Sequence, residues 1–437
     1  AGFIITIYVR KKRLFSSVLG SETILCGFLL YLFVYSLLKA GIFTLNFGIF
    51  GIICIYFLFK QSKKEINIEH HYPSLNQFLI PKLLFSFICF ELGAIFFIKG
   101  GSFPYITPNM DYGFWKAIAS YIQQYGIENT SHYFSIISPE LNELAVYHYF
   151  ELWCTALLSE LSGTGITEAF FLYLKPIFFY VITQIAWDAI RCMGYSARNI
   201  MTIILPIGAL VFGNIVINSN GFVNENSIYY LEKFLPIKIL GILFAFFLIN
   251  KNFLATTVVV FLLPFFNPTL VFFSFIYLFG VLVIYRKNRE IVLLTISSSL
   301  FSIFFLVFYT KQTNSIDILT FNDFISLIDL HRQDPTAIVI RFMKNIYIAG
   351  INWSMIILAT ISHKNYDKIQ FKPLVFIMFF STMLTNAISS ILFVVDIDYN
   401  QFFMTILIFS APLSFLLIVN TISVNRNYHR VYSKFGN

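Results

Sequence analysis

The feature that most constrains this chain is a series of long apolar runs, most near or above the ~18 residues that read as a bilayer-spanning helix. They lie near 21–38, 42–60, 76–99, 168–188, 199–218, 235–250, 254–267, 269–285, 291–309, 342–361, 372–394 and 401–421. In hydrocarbon every backbone N–H and C=O must be paired within the protein, which leaves helices or a closed barrel. The runs are continuous rather than alternating, which favours helices. Composition agrees: 58% of the 437 residues are hydrophobic and 12% are charged, against about 25% charged in soluble domains. The expected fold is all-α, a polytopic transmembrane helical bundle of about 12 spans. One more span is expected if the apolar stub Ala1–Val9 is the end of a helix that starts upstream. The whole of 1–437 reads as one membrane domain.

Orientation follows from the short loops, because Lys and Arg concentrate on the cytoplasmic side. With Arg10-Lys11-Lys12-Arg13 placed inside, alternation also puts Lys60, Lys63, Lys64, Arg286, Lys287, Arg289, Lys364 and Lys368 inside. The outer segments then hold only Lys39, Lys116, Lys233, Lys311, Arg332 and Arg341. This asymmetry, rather than the net charge of +8, carries the information. It turns the basic balance away from nucleic acid, and no nucleic-acid partner is expected. The five cysteines (Cys26, Cys54, Cys89, Cys154, Cys192) have no metal-ligand spacing and read as small core hydrophobes.

Two outer loops are long, 100–167 and 310–341, and long loops are commonly functional. The first carries two helical patterns. Segment 110–125 has apolar residues at Phe114, Ile118, Tyr121 and Ile122, and segment 140–162 has Leu141, Leu144, Ala145, His148, Leu152, Ala156 and Ser159. Its acids Glu143, Glu151 and Glu160 fall in another direction. Both read as amphipathic helices lying at the outer interface. The chain has no Gly-rich phosphate loop, no internal repeat and no cytoplasmic loop large enough for a nucleotide-binding domain. Chemistry, if present, belongs at the outer face.

The most suggestive stretch runs from Pro104 through Asp111-Tyr112-Gly113, Trp115 and Lys116, followed by Tyr147-His148-Tyr149 and then Ser162-Gly163. An acid before a short helix, Tyr-Gly, a polar link, Tyr-His, a second helix and Ser-Gly resembles the GT-C superfamily. These are membrane glycosyltransferases that use polyprenyl-phosphate-linked sugars, and the likeness is to its less characterised bacterial members. It covers roughly 76–190 and is only architectural beyond. The resemblance implies a polyprenyl-phosphate-linked sugar as donor and a glycan, lipid or protein acceptor. It also implies a bacterial inner (cytoplasmic) membrane location with the active face extracytoplasmic, and Asp111 as general base. A sugar hydroxyl is a weak nucleophile, and a carboxylate within hydrogen-bond reach can take its proton during attack on the anomeric carbon. The departing lipid phosphate needs positive charge. Many members carry paired acids where this chain has Asp111 followed by Tyr112, so no metal ligand is assigned. A divalent cation could supply that charge, and one basic side chain could also suffice. The competing reading of Asp111 is a helix cap.

Other candidates for substrate binding are His148 and Tyr147, which could hold an acceptor or phosphate, and Lys116. Ionisable residues inside apolar runs are costly and default to functional candidates. Glu91 and Lys175 are expected at similar depth and could pair, or Lys175 could reach a lipid phosphate; Lys238, near the outer end of its span, could snorkel outward. In the second loop His331, Arg332 and Arg341 are scarce outer cations suited to phosphate. Asp396-Ile397-Asp398 could bind a metal but fits a solvated turn better. Two other functions compete. A polysaccharide polymerase or ligase of the O-antigen type would rely on outer-loop arginines, and the later loop offers only Arg332 and Arg341. A transporter would favour repeats and broken mid-membrane helices; Pro264–Pro268 could be such a break or a tight turn between two spans.

Overall fold

The computed structural model describes residues 35, 111–126, 150–174, 176–178, 181–182, 185, 217–218, 221–222, 235–249, 253–267, 270–284, 292, 295–296, 299, 336, 339–340, 342–343, 346–347, 350, 353, 357, 371–392, 406, 409–410 and 412–413. Within these residues the architecture is helical, apart from one two-residue antiparallel pairing. The chain divides into two compact units. The first is Ala1–Ile185 with Gln312–Ser315, the second Ala186–Lys311 with Ile316–Asn437. Among the described residues no helix is long and apolar enough to cross a membrane.

In the first unit, α1 (Asp111–Tyr125) and α2 (Phe150–Ser162) occupy the loop in which two amphipathic helices were expected. Each stops at a glycine with positive φ, 74° at Gly126 and 68° at Gly163. Their N–H groups close back on Ile122 O at 2.8 Å and Ser159 O at 3.0 Å. This is the left-handed cap, which glycine adopts without a Cβ clash. One turn, Ile166–Glu168, then leads into a π-helical segment, Ala169–Leu174. Proline 176 follows within two residues. It has no N–H to donate and its ring crowds the carbonyl four residues back, so a widened turn ahead of it is a local accommodation. From the first expected span, Tyr35 reaches α2. Its ring meets Trp153 edge-on at 6.4 Å.

In the second unit, α3 (Leu235–Ile249), α4 (Phe253–Phe266), α5 (Val271–Ile284) and α6 (Phe371–Leu392) fall on four of the expected apolar runs. Every residue of α3 from Leu235 to Leu248 is buried, as expected of a helix that is apolar all round. Lys238 is among them, 1% exposed, so it does not take the outward snorkelling path open to it from sequence: neighbours cover this helix on every side. Gly241 lets α3 approach the Phe409 backbone, where a Cβ would strike the carbonyl oxygen. Phe244, Phe273, Tyr277 and Phe409 form the aromatic core, with ring centroids 5.3–6.2 Å apart.

The Pro264–Pro268 stretch makes a turn between two packed helices. Asn267 N–H donates to Leu263 O at 2.9 Å and Leu270 N–H to Asn267 O at 3.1 Å. Pro264 lies inside α4, so the Val260 carbonyl loses its usual partner. Ser274 of α5 supplies the replacement, donating its hydroxyl to Val260 O at 3.1 Å. The run expected at 199–218 ends differently from expectation: Ile217 and Asn218 pair with Phe222 and Gly221.

Candidate functional site

The candidate site grows from the α1–α2 pair. Trp115, Ile118, Ala119 and Ile122 of α1 are buried, at the three-and-four spacing of one helix face. Leu152, Thr155, Ala156 and Ser159 do the same on α2. Near their first turns, Trp115, Lys116 and Ala119 line one cleft with Leu152 and Thr155. Near their last turns, Gln123 Nε2 approaches Ser159 Oγ at 3.4 Å. The helices are therefore parallel, and their N-termini at Asp111 and Phe150 share one end.

The cleft is closed by Ile166, Thr167, Phe170 and Phe171 and encloses about 20 Å³. That is room for a water molecule, not for a sugar. Trp115 meets Phe170 at 6.4 Å, and Phe170 meets Phe171 edge-on at 5.3 Å. The widened turn thus sends two consecutive aromatics against α1 and locks its register. Lys116 is the exposed member of the lining. Thr155 is buried, its hydroxyl donating to Glu151 O at 2.7 Å.

Asp111 is the first residue of α1, in the turn where the helix dipole favours a carboxylate. Tyr147 and His148 lie outside the described residues, as do Glu91, Lys175, His331, Arg332 and Arg341. Of the candidates, the structure therefore brings Asp111 and Lys116 onto one helix. Among the described residues, no group of three or more His, Cys, Asp or Glu side chains could hold a metal ion.

Sequence reasoning missed Glu151. It was grouped with the acids pointing away from the apolar face, yet it is 3% exposed, in the first turn of α2. The neighbouring Cys154 thiol is fully buried and pushed well above its ordinary value, by burial first and by the Glu151 charge second. The signal available in sequence was the position of Glu151 beside Leu152, at the end where the helix dipole offsets a carboxylate. Comparison with known protein families, curated proteins and solved structures finds no match for this chain.

Proposed function

We propose that this chain is a polytopic membrane glycosyltransferase of the GT-C kind. It would transfer a sugar from a polyprenyl-phosphate donor to a glycan, lipid or protein acceptor at the extracytoplasmic face, with Asp111 as general base. Asp111 takes the acceptor proton as the acceptor oxygen bonds to the anomeric carbon. The bond from that carbon to the phosphate oxygen breaks, and the lipid phosphate leaves as an anion.

The observation that carries the reading is the parallel α1–α2 pair. It places Asp111 at the same end as Phe150, two residues after His148 in sequence. Exposed Lys116 lies just beyond Asp111 on α1, and its charge favours a developing phosphate anion. A membrane location draws support from the second unit. Phe279, Val283, Phe376 and Phe380 are exposed there, while Ser274, Ser381, Thr382, Thr385 and Asn386 on the same two helices are buried. That polarity suits lipid rather than water as the solvent.

The test is Asp111→Asn, measured as product formed from a polyprenyl-phosphate sugar by the purified chain in detergent or vesicles. Asn serves a helix start as well as Asp, so folding and insertion are retained. Loss of a general base lowers turnover by about 10²–10⁴-fold. A fully active Asp111→Asn protein removes the assignment. Uptake of solute into vesicles without any lipid-linked donor points to transport instead.

A further inference from the structure

The buried face of α6 changes character along its length. Leu374, Val375 and Met378 give way to Ser381, Thr382, Thr385 and Asn386. Thr382 satisfies its hydroxyl locally, donating to Met378 O one turn back at 2.9 Å. The Ser381 and Thr385 hydroxyls are fully buried and have no hydrogen-bond partner among the described residues. One turn before Ser381 on the same strip, Ile377 is the side chain that a Cβ on Gly280 of α5 would strike. Ile377 thus meets α5, and Ser381 and Thr385 continue the same strip of α6 at four-residue spacing.

A buried hydroxyl without a partner is costly, so such groups in native interiors are bonded to protein or to water. Positions four apart on a helix have β-carbons about 5–6 Å apart. One oxygen between them reaches both hydroxyls at about 2.8 Å. The described residues buried on this face carry no charge, which suits a neutral molecule that both donates and accepts. We propose that Ser381 and Thr385 together hold one internal water in the α5–α6 seam, fixing the packing of the second unit. The inference is independent of the catalytic reading of Asp111.

The experiment compares apparent melting temperatures of the full chain in detergent for Ser381→Ala, Thr385→Val and the double variant. Each substitution keeps the apolar volume nearly constant and removes one hydroxyl. Each single change is expected to lower the melting temperature by about 2–4 °C. The double variant is expected to fall no further than the larger single change, because both release the same water. A melting temperature that is unchanged or raised in either single variant overturns the proposal, since the hydroxyl is then unpaired or bonded within its own helix. Additive losses also overturn it, since the two groups then act separately.

Discussion

Helix α1 of the first unit and helices α5 and α6 of the second distribute polarity in opposite senses. In the first, α1 buries Trp115, Ile118, Ala119 and Ile122 and exposes Lys116 and Gln124. In the second, α6 buries Ser381, Thr382, Thr385 and Asn386 and exposes Phe376, Phe380 and Leu384, while α5 buries Ser274 and exposes Phe279 and Val283. Helix endings differ as well. Helices α1 and α2 stop at left-handed glycines. α4 instead carries a proline inside, and the carbonyl it frees is satisfied from the neighbouring helix. A helix surrounded by water can leave a freed carbonyl to the solvent. One surrounded by hydrocarbon must find a protein partner. The contrast is what one chain needs if its first-unit helices meet an aqueous interface and its second-unit helices meet lipid.

The largest effect comes from a charge on each outer surface. Phe380→Arg on α6 replaces a side chain that is 61% exposed, and Leu161→Arg on α2 one that is 70% exposed. If α6 faces lipid, the first change costs about 2.5–3.5 kcal/mol near the centre of a span, seen as loss of stably inserted, detergent-extractable protein. The second stays within about 0.5 kcal/mol, as surface changes usually do. Equal tolerance of both would erase the difference between the units.

Ser274→Ala sharpens the same contrast from inside. It strands the Val260 carbonyl, already without its helical partner because of Pro264. An unsatisfied buried acceptor costs about 1–3 kcal/mol, read as a lower unfolding midpoint. Ser274→Thr keeps the hydroxyl and is expected to recover most of that loss. A neutral Ser274→Ala would mean that water reaches Val260 and that the α4–α5 hairpin is not sealed.

What the sequence disclosed follows the same division. Continuous apolar runs located α3, α4, α5 and α6 within a few residues, because a helix that is apolar on its covered and uncovered faces alike is marked by the run itself. The turn at Asn267 was readable from its flanking prolines, and α1 and α2 from three-and-four spacing. In α1, however, Trp115 and Ala119 are buried where Phe114 and Tyr121 were expected, and both of those are only half-buried. The stripe was right to within one residue, because aromatics on adjacent positions leave its centre ambiguous. The π-helical turn was not legible: Pro176 signals a disturbance but not its form. Nor were the burials of Glu151 and Lys238, which depend on neighbours distant in sequence. The pairing of Ile217–Asn218 with Gly221–Phe222 was overlooked although Asn218-Ser219-Asn220-Gly221 carries a turn signature. For the candidate site, the loop and its acid were legible. The parallel direction of α1 and α2 was not, because the length of the link between them permits either sense.

A smaller effect is expected at the glycine that ends α2. Gly163 has φ of 68°, and a Cβ there would meet nothing within 4 Å. The cost of Gly163→Ala is therefore conformational alone, about 1–2 kcal/mol for an L-residue held left-handed. Gly163→Asn should cost less, since Asn tolerates that region. Equal losses for Ala and Asn would show that space, not backbone conformation, sets the requirement, and the helix ending would no longer distinguish the units.

The smallest effect at neutral pH concerns Cys154, where burial and the Glu151 charge hold the thiol well above its ordinary 9.0. The sign follows from proton counting. Below pH 9 the thiol is protonated in both folded and unfolded chains and contributes no pH dependence. Above it the unfolded chain releases the proton while the folded chain retains it, so stability falls as pH rises. The slope cannot exceed about 1.4 kcal/mol per pH unit for one group. Reactivity is the sharper readout, because the thiolate is the nucleophile. In a chain with the other four cysteines replaced, iodoacetamide at pH 8 should leave Cys154 unmodified until the first unit unfolds, and Glu151→Gln should not make it reactive, because burial is the larger cause. Rapid labelling of the folded chain would mean that α2 opens readily, and that the first unit is as loosely held as an interfacial helix pair without a core.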